Sequence, residues 1–312
     1  MYEVHEMRIK SALLALIAGA AIVAAACGSA TEPVASGEAH FPEGSYCAKA
    51  LALGEDVQGT LLWKVCDAGK IVIATDPAYP PYSSLHASGE YVGFDSDTAR
   101  ETAKRLGVDV EWATPDWAAI TAGSWGGRWD LSVGSMTQTD DRALVVDFVD
   151  PYFYESGYVL VPVDSTATTV ADLAGKTGCA GESTTHSMWI EKGYADSATV
   201  VQFNAPPAGA KLKTYKTDHM CIEAYLSGRT NDWDFMAQSK EFLESAIEES
   251  KGKFKILGEA NFAGQISFAL DKSGLNDASM LNALNEIVAA MHEDGTLSGF
   301  SMTHLGRDVT KP

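Results

Sequence analysis

Over residues 278–294 apolar side chains recur at intervals of three and four: Leu281, Leu284, Ile287, Val288 and Met291 share one face, and Gly295 follows. That period predicts a strongly amphipathic helix with one buried stripe. A second helix is predicted over 97–107, with Ala99, Ala103 and Leu106 on one face and Gly107 as its stop. Residues 70–75 (KIVIAT) are apolar and β-branched, the signature of a buried strand. Leu131 and Val133 alternate with polar neighbours as another strand, and 157–163 and 264–270 read the same way. Short helical pieces are expected at 46–53 and 61–65. Thr169-Val170-Ala171-Asp172 has capping-box spacing ahead of a short helix that Gly175 ends. Strands alternating with helices imply α/β layers with largely parallel sheets. Residues 28–44 carry Gly, Ser, Pro and Glu without a period and read as a linker.

The longest apolar run, 11–23, stands near the N-terminus behind Arg8 and Lys10 and is too short to span a bilayer comfortably. Ala24-Ala25-Ala26-Cys27 then supplies small residues at a cleavage point, so 1–26 is read as an export signal. Glu3 and Glu6 precede the basic pair, which is unusual in a signal, and Met7 is taken as the true start. The segment resembles a bacterial lipoprotein signal, which implies that Cys27 becomes an acylated first residue and lipid-anchors the chain outside the cytoplasm. Ala24 stands where that pattern prefers Leu. The alternative is ordinary secretory cleavage with Cys27 as a spare thiol. No second long apolar stretch follows, so a spanning receptor is not expected.

Composition narrows the partners. The 312 residues correspond to about two domains. Lys and Arg number 23 against 42 Asp and Glu, a net charge of −19 that disfavours nucleic acid and anionic lipid faces. Apart from Cys27, the cysteines are Cys47, Cys66, Cys179 and Cys221, an even set with three possible connectivities. The first two flank one short segment and the last two bracket a later block, so 47–66 and 179–221 are favoured. No CxxC or HExxH spacing occurs and the histidines are scattered, so neither a metal nor a cofactor is expected.

Residues 73–82 (IATDPAYPPY), 91–95 (YVGFD), 134–142 (GSMTQTDDR) and 147–154 (DFVDPYFY) occur in this order, and Asp294-Gly295-Thr296 follows in the last helical region. Together they make the chain resemble the family 3 extracellular solute-binding proteins, the polar amino-acid receptors of ABC importers, over about 69–300. The block at 125–137 (WGGRWDLSVGSMT) is also similar to a subgroup of actinobacterial lipoproteins. The resemblance implies an α/β, two-lobe clamshell of the type II periplasmic-binding class with two hinge crossovers. Lobe 1 would be 68–156 plus 266–312 and lobe 2 157–265, after a tether and extension at 27–67. It further implies a monomer that takes a small carboxylate or amino acid into the cleft and passes it to a permease. Two alternatives are an enzyme on the same scaffold, similar to cyclohexadienyl dehydratases with Glu155 or Glu182 as general acid, and a ligand-sensing subunit for a separate receptor.

The resemblance also implies a site. Arg142, which spacing alone would make a surface charge after a turn, would hold the ligand carboxylate through two parallel hydrogen bonds. Thr137 would donate to the same group, with Gly134 and Ser135 lining the pocket. Tyr79 and Trp117 would sandwich the aliphatic part, the prolines around Tyr79 stiffening its loop; either aromatic alone would be read as core. Asp76 follows a strand at its carboxyl end, where α/β sheets place ligands, and would meet a cationic group or fix a turn. Tyr82 is read as packing and Asp95 as structural. Thr184 and Thr185 would donate to the ligand from a helix N-terminus or simply cap that helix; Ser183 stands where the family has Gly. The family ends a second-lobe strand with an Asp that meets the ligand ammonium, and here Gln238 or Ser239 holds that place. Either Asp76 or Asp234 substitutes, or the ligand is not a standard α-amino acid.

Overall fold

A computed structural model describes residues 41–52, 58–275 and 277–311. The segment 1–26, Met7 and Cys27 lie outside the described residues. The apolar runs become a ten-stranded sheet. Its main path runs Lys211–Tyr215, Thr177–Gly181, Phe235–Ser239, Phe153–Pro162, Phe254–Asp271, Leu131–Thr137, Lys70–Ala74, Asp109–Ala113. Pairing is parallel towards both ends of that path, as in Ile71↔Val110 and Leu212↔Gly178. The middle is antiparallel, so the expectation of largely parallel sheets holds only for the two flanks. The cause is the return of the chain: Phe153–Pro162 leaves one lobe and Phe254–Asp271 comes back beside it, with Phe254 opposite Pro162 and Ile266 opposite Phe153. The late strand, expected over 264–270, is therefore 18 residues long.

Each flank packs its own core. Ile71, Ile73, Leu131, Phe153, Ile266 and Phe268 meet the inward faces of Phe94–Leu106 and Ala278–Glu293, including Leu284, Ile287, Val288 and Met291. On the other flank successive residues of Phe153–Pro162 point to opposite faces. Val159 and Val161 join Trp189, Phe235 and Phe262, whereas Leu160 joins Cys179, Met236 and Phe242. The expected boundaries at 156/157 and 265/266 fall within the paired crossover strands, where Ser156 faces Ala263 and Gln265 faces Tyr154.

Local chemistry sets the ends of the elements. The helix expected from residue 97 begins at Phe94, because Gly93 at φ +123° brings the chain close to Tyr82, whose carbonyl oxygen would lie 2.3 Å from any Cβ there. Thr169 and Asp172 form the expected capping box, ahead of a short 3-10 turn, Val170–Leu173. Cysteines 47 and 66 are bonded, as are 179 and 221, the pairing favoured from the sequence. Among the described residues no helix is long and apolar enough to cross a membrane.

Candidate functional site

The first lobe brings three segments to the carboxyl edge of its strands. Just beyond Lys70–Ala74, Asp76 accepts a hydrogen bond from the Ala78 amide at 2.8 Å, which folds the following loop back. The Tyr79 ring is stacked between Tyr82 and Phe242, 5.1 and 5.5 Å away, and its hydroxyl donates to Gln238 Oε1 at 3.0 Å. Trp117 opens the helix Trp117–Thr121 and donates from Nε1 to the Ser183 carbonyl at 3.2 Å. The third segment is Leu131–Thr137, where three residues between Ser132 and Met136 face one between Ala269 and Ser267, a bulge. Ser135 takes φ +53° there. Its amide donates to Tyr152 Oη at 3.2 Å and its hydroxyl to Asp95 Oδ2 at 2.8 Å. The polar groups of Ser135 thus brace Tyr152 and Asp95 behind the site.

Arg142 is the electrostatic centre. It is 3% exposed, donates from Nη1 to the Thr137 carbonyl and from Nη2 to the Ser183 carbonyl, both at 2.9 Å, and lies 5.4 Å from the Trp117 ring centre. Its Nε has no hydrogen-bond partner among the described residues. Burial pushes the guanidinium pKa down to about 10, against the opposing influence of Tyr194 and Glu155. A buried cation hydrogen-bonded to neutral carbonyls favours an anionic partner, because Glu155 and Tyr194 offset only part of its desolvation cost.

The second lobe answers with the turn from Thr177–Gly181 into Thr185–Lys192. Ser183 takes φ +60°, the left-handed conformation that the Gly of the family pattern would adopt freely. That conformation accompanies a carbonyl aimed across the cleft at Trp117 and Arg142. Thr184 is the N-cap: its hydroxyl accepts from the Ser187 amide at 3.0 Å and donates to the Gly181 carbonyl at 2.8 Å. Thr185 Oγ1 lies 3.2 Å from Thr137 Oγ1 of the other lobe. Buried His186 sits with Nε2 3.2 Å from Glu155 Oε1 but outside hydrogen-bond geometry, while Glu182 is exposed.

Between the lobes lies a cavity of about 30 Å³. Asp76, Tyr79, Trp117 and Gly134 wall it on one side and Thr184, Lys216, Thr217 and Asp218 on the other. This is far below the ~300 Å³ at the small end of ligand pockets, so admitting a solute requires the lobes to part. Five of the residues predicted from the sequence meet here, with Thr137, Thr185 and Arg142 adjoining. Gln238 reaches the site through Tyr79; it is buried, and its Oε1 also accepts from the Ser239 amide at 2.6 Å. Asp234 stands apart from the cavity. It is exposed, accepts from the Thr177 amide and lies 3.8 Å from Lys176 Nζ. That removes it as a stand-in for the family Asp.

The residues that sequence reasoning missed are Lys216, Thr217 and Asp218. They belong to no motif; the parallel register of Lys211–Tyr215, which puts Tyr215 opposite Gly181, carries them to the cleft. Lys216 Nζ pairs with Asp116 Oδ1 of the first lobe at 2.6 Å. Asp218 precedes the helix His219–Leu226, is 7% exposed, and accepts from the Gly181 amide at 2.6 Å. Burial raises the pKa of both Asp76 and Asp218 above the ordinary carboxylate value. Among the described residues no cluster of three or more His, Cys, Asp or Glu could hold a metal ion.

The profile of the bacterial extracellular solute-binding proteins, family 3, matches residues 71–307. The chain is 28% identical over 253 residues to the L-cystine-binding protein TcyJ of Escherichia coli K12, covering 80% of this chain and 88% of that protein. Among solved structures, an ancestral arginine-binding protein bound to arginine is 26% identical with a TM-score of 0.65, covering 76% of this chain and 99% of that one. The ancestral amino acid-binding protein AncCDT-1, a precursor of cyclohexadienyl dehydratase, is 25% identical with a TM-score of 0.66, covering 78% and 99%. The fold these structures share with the chain is the type II periplasmic-binding class.

Proposed function

Since the chain belongs to the family 3 bacterial extracellular solute-binding proteins, we propose that it captures an amino acid between its lobes and delivers it to the permease of an ABC importer, without catalysis of its own. The observation that carries this reading is Arg142. It is a buried guanidinium on the first lobe, 5.4 Å from the Trp117 ring centre, with one arm already reaching the second lobe at Ser183. A ligand carboxylate accepting from Arg142, Thr137 and the turn at Thr184–Thr185 is bound by both lobes at once. Binding therefore favours the closed arrangement, the population shift that a permease can read. Family members named for cystine and arginine support an amino acid as the solute. The segment 1–26 would export the chain, and Cys27 would anchor it by lipid on the outer side of a membrane as a monomer. The lobes would divide at 156/157 and 265/266. A dehydratase would need a carboxyl acid facing the ligand, whereas neither buried Glu155, beside His186, nor exposed Glu182 lines the cavity.

The test is a thermal-shift screen of residues 28–312 against the twenty amino acids, L-cystine, related amines and dicarboxylates. A ligand at a hundred times its Kd adds about 2.7 kcal/mol, several degrees in a protein of this size. We expect one chemical group to stabilise the protein and Arg142→Ala to abolish the shift. Conversion of the bound solute into a product would refute the reading, as would a shift that survives Arg142→Ala.

A further inference from the structure

The family pattern meets the ligand ammonium with an aspartate at the end of a second-lobe strand, where this chain has Gln238 and Ser239. Neither supplies a full counter-charge. Gln238 Oε1 is occupied by the Tyr79 hydroxyl and the Ser239 amide, and Ser239 is the N-cap of Lys240–Glu249, its hydroxyl accepting from the Phe242 amide at 3.3 Å. One step further from that strand stands Asp218. The Gln238 amide acts on the Asp218 carboxyl against the burial that raises its pKa, so a neutral side chain stands between Tyr79 and that acid.

We infer that Asp218 is the counter-charge for the ammonium nitrogen of the bound amino acid, with Asp76 on the opposite wall of the cavity; the inference rests on the amino-acid reading of the cleft. Four observations converge on it. Asp218 is 93% buried by its 7% exposure, yet it forms no ion pair with Lys or Arg among the described residues. The nearest lysine in sequence, Lys216, gives its ammonium to Asp116. The carboxylate borders the same cavity as Asp76, from the other lobe. Finally, its geometry is fixed: the Gly181 amide holds Oδ1, and Oδ2 would be 2.7 Å from any Cβ at Gly181, so only glycine admits it there. A buried carboxylate whose hydrogen-bond donor is a neutral amide, with the His186 imidazole beside it, is costly, and a ligand cation offsets that cost. A cation seated between Asp218 and Asp76 also contributes contacts to both lobes, in the same way that a carboxylate does at Arg142. The charge of the family position has thus moved from the strand to the start of the neighbouring helix, and Gln238 is the neutral spacer that the move requires. A carboxylate at 238 would instead repel Asp218.

The experiment is calorimetric titration of residues 28–312 with the tightest-binding of the twenty amino acids and L-cystine, and with the matching carboxylic acid that lacks the ammonium. Asp218→Asn keeps an acceptor for the Gly181 amide, and its ligand-free melting temperature verifies folding. We expect Asp218→Asn to weaken the amino acid roughly 10- to 100-fold, the worth of a charge-assisted hydrogen bond, and to leave the ammonium-free acid within about twofold. Asp234→Asn, on the surface, should change neither. If Asp218→Asn binds the amino acid as tightly as the wild type while Arg142→Ala does not bind, the inference falls and the amino-acid reading stands. If the wild type prefers the ammonium-free acid or holds it equally well, the inference falls without recourse to any variant. A wild type that binds no α-amino acid overturns both.

Discussion

Gly264 lies on the returning crossover strand opposite Glu155 and Val200, outside the cavity, yet it governs the placement of Thr137. A Cβ at this position would sit 2.5 Å from Thr137 Cγ2, with the next atoms at 3.9 and 4.0 Å. Ordinary contact begins at 3.4 Å, so Gly264→Ala forces a displacement of roughly 0.9 Å onto a single methyl group. Thr137 has two ways to yield. Rotating its side chain carries the hydroxyl away from Thr185 Oγ1; shifting its backbone carries the carbonyl away from Arg142 Nη1. Either exceeds the ~0.5 Å within which a binding group must be held. Overpacking of a buried site costs about 1–3 kcal/mol, a fall of roughly 2–12 °C in melting temperature at about 2–4 °C per kcal/mol. Ligand affinity should fall tenfold or more, read by calorimetry on the same sample. Thr137→Ser removes the offending methyl and keeps the hydroxyl, so Gly264→Ala/Thr137→Ser should recover most of both losses in a double-mutant cycle. An affinity loss that Thr137→Ser fails to rescue would refute the contact as its cause.

Two further outcomes are expected. Burial raises the Asp95 carboxyl to about 6, against hydrogen bonds from Tyr152 and Ser135. The native state then binds more protons than the unfolded one between the ordinary value and about 6, so this group's contribution to stability falls as pH rises through that window. The size is on the order of 3 kcal/mol; Asp95→Asn should flatten denaturant-unfolding stability between pH 4 and 7 by about that much, and parallel profiles would sink the assignment. Gly299 lies on the exposed side of Thr296–Leu305 with open space where a Cβ would go. Gly299→Ala should therefore stabilise by ~0.5–1 kcal/mol, raising the melting temperature without touching affinity.

Elements whose signal is local were legible in the sequence. The stripe Leu284, Ile287, Val288 and Met291 is buried as its period requires, and KIVIAT is a strand because β-branched residues flanked by polar ones have little alternative. Two kinds of feature were not. The antiparallel middle of the sheet depends on where a strand returns after about a hundred residues, and 264–270 carries no mark of the partner at 153–157. Within the site, Asp76, Tyr79, Trp117, Gly134 and Thr184 could be named from motifs, whereas Lys216–Asp218 could not. An Asp before a helical run reads as a cap, and Asp218 makes no side-chain cap bond. It serves Gly181, a partner fixed only by the register of two distant strands. Ser183 was legible as an anomaly, and the structure gives its physical content: a left-handed turn.

The Cys179–Cys221 bond has a consequence for when the protein becomes competent. Cys179 lies two residues before Gly181 and Cys221 three after Asp218, so the bond braces both halves of the corner where the Gly181 amide holds the Asp218 carboxylate. Closing that 42-residue separation in the unfolded chain is worth about 4 kcal/mol to the fold as a whole. A chain still in a reducing cytoplasm lacks the brace. Placement of the Asp218 carboxylate is thereby tied to an oxidising environment, and a reduced chain holds that corner less firmly.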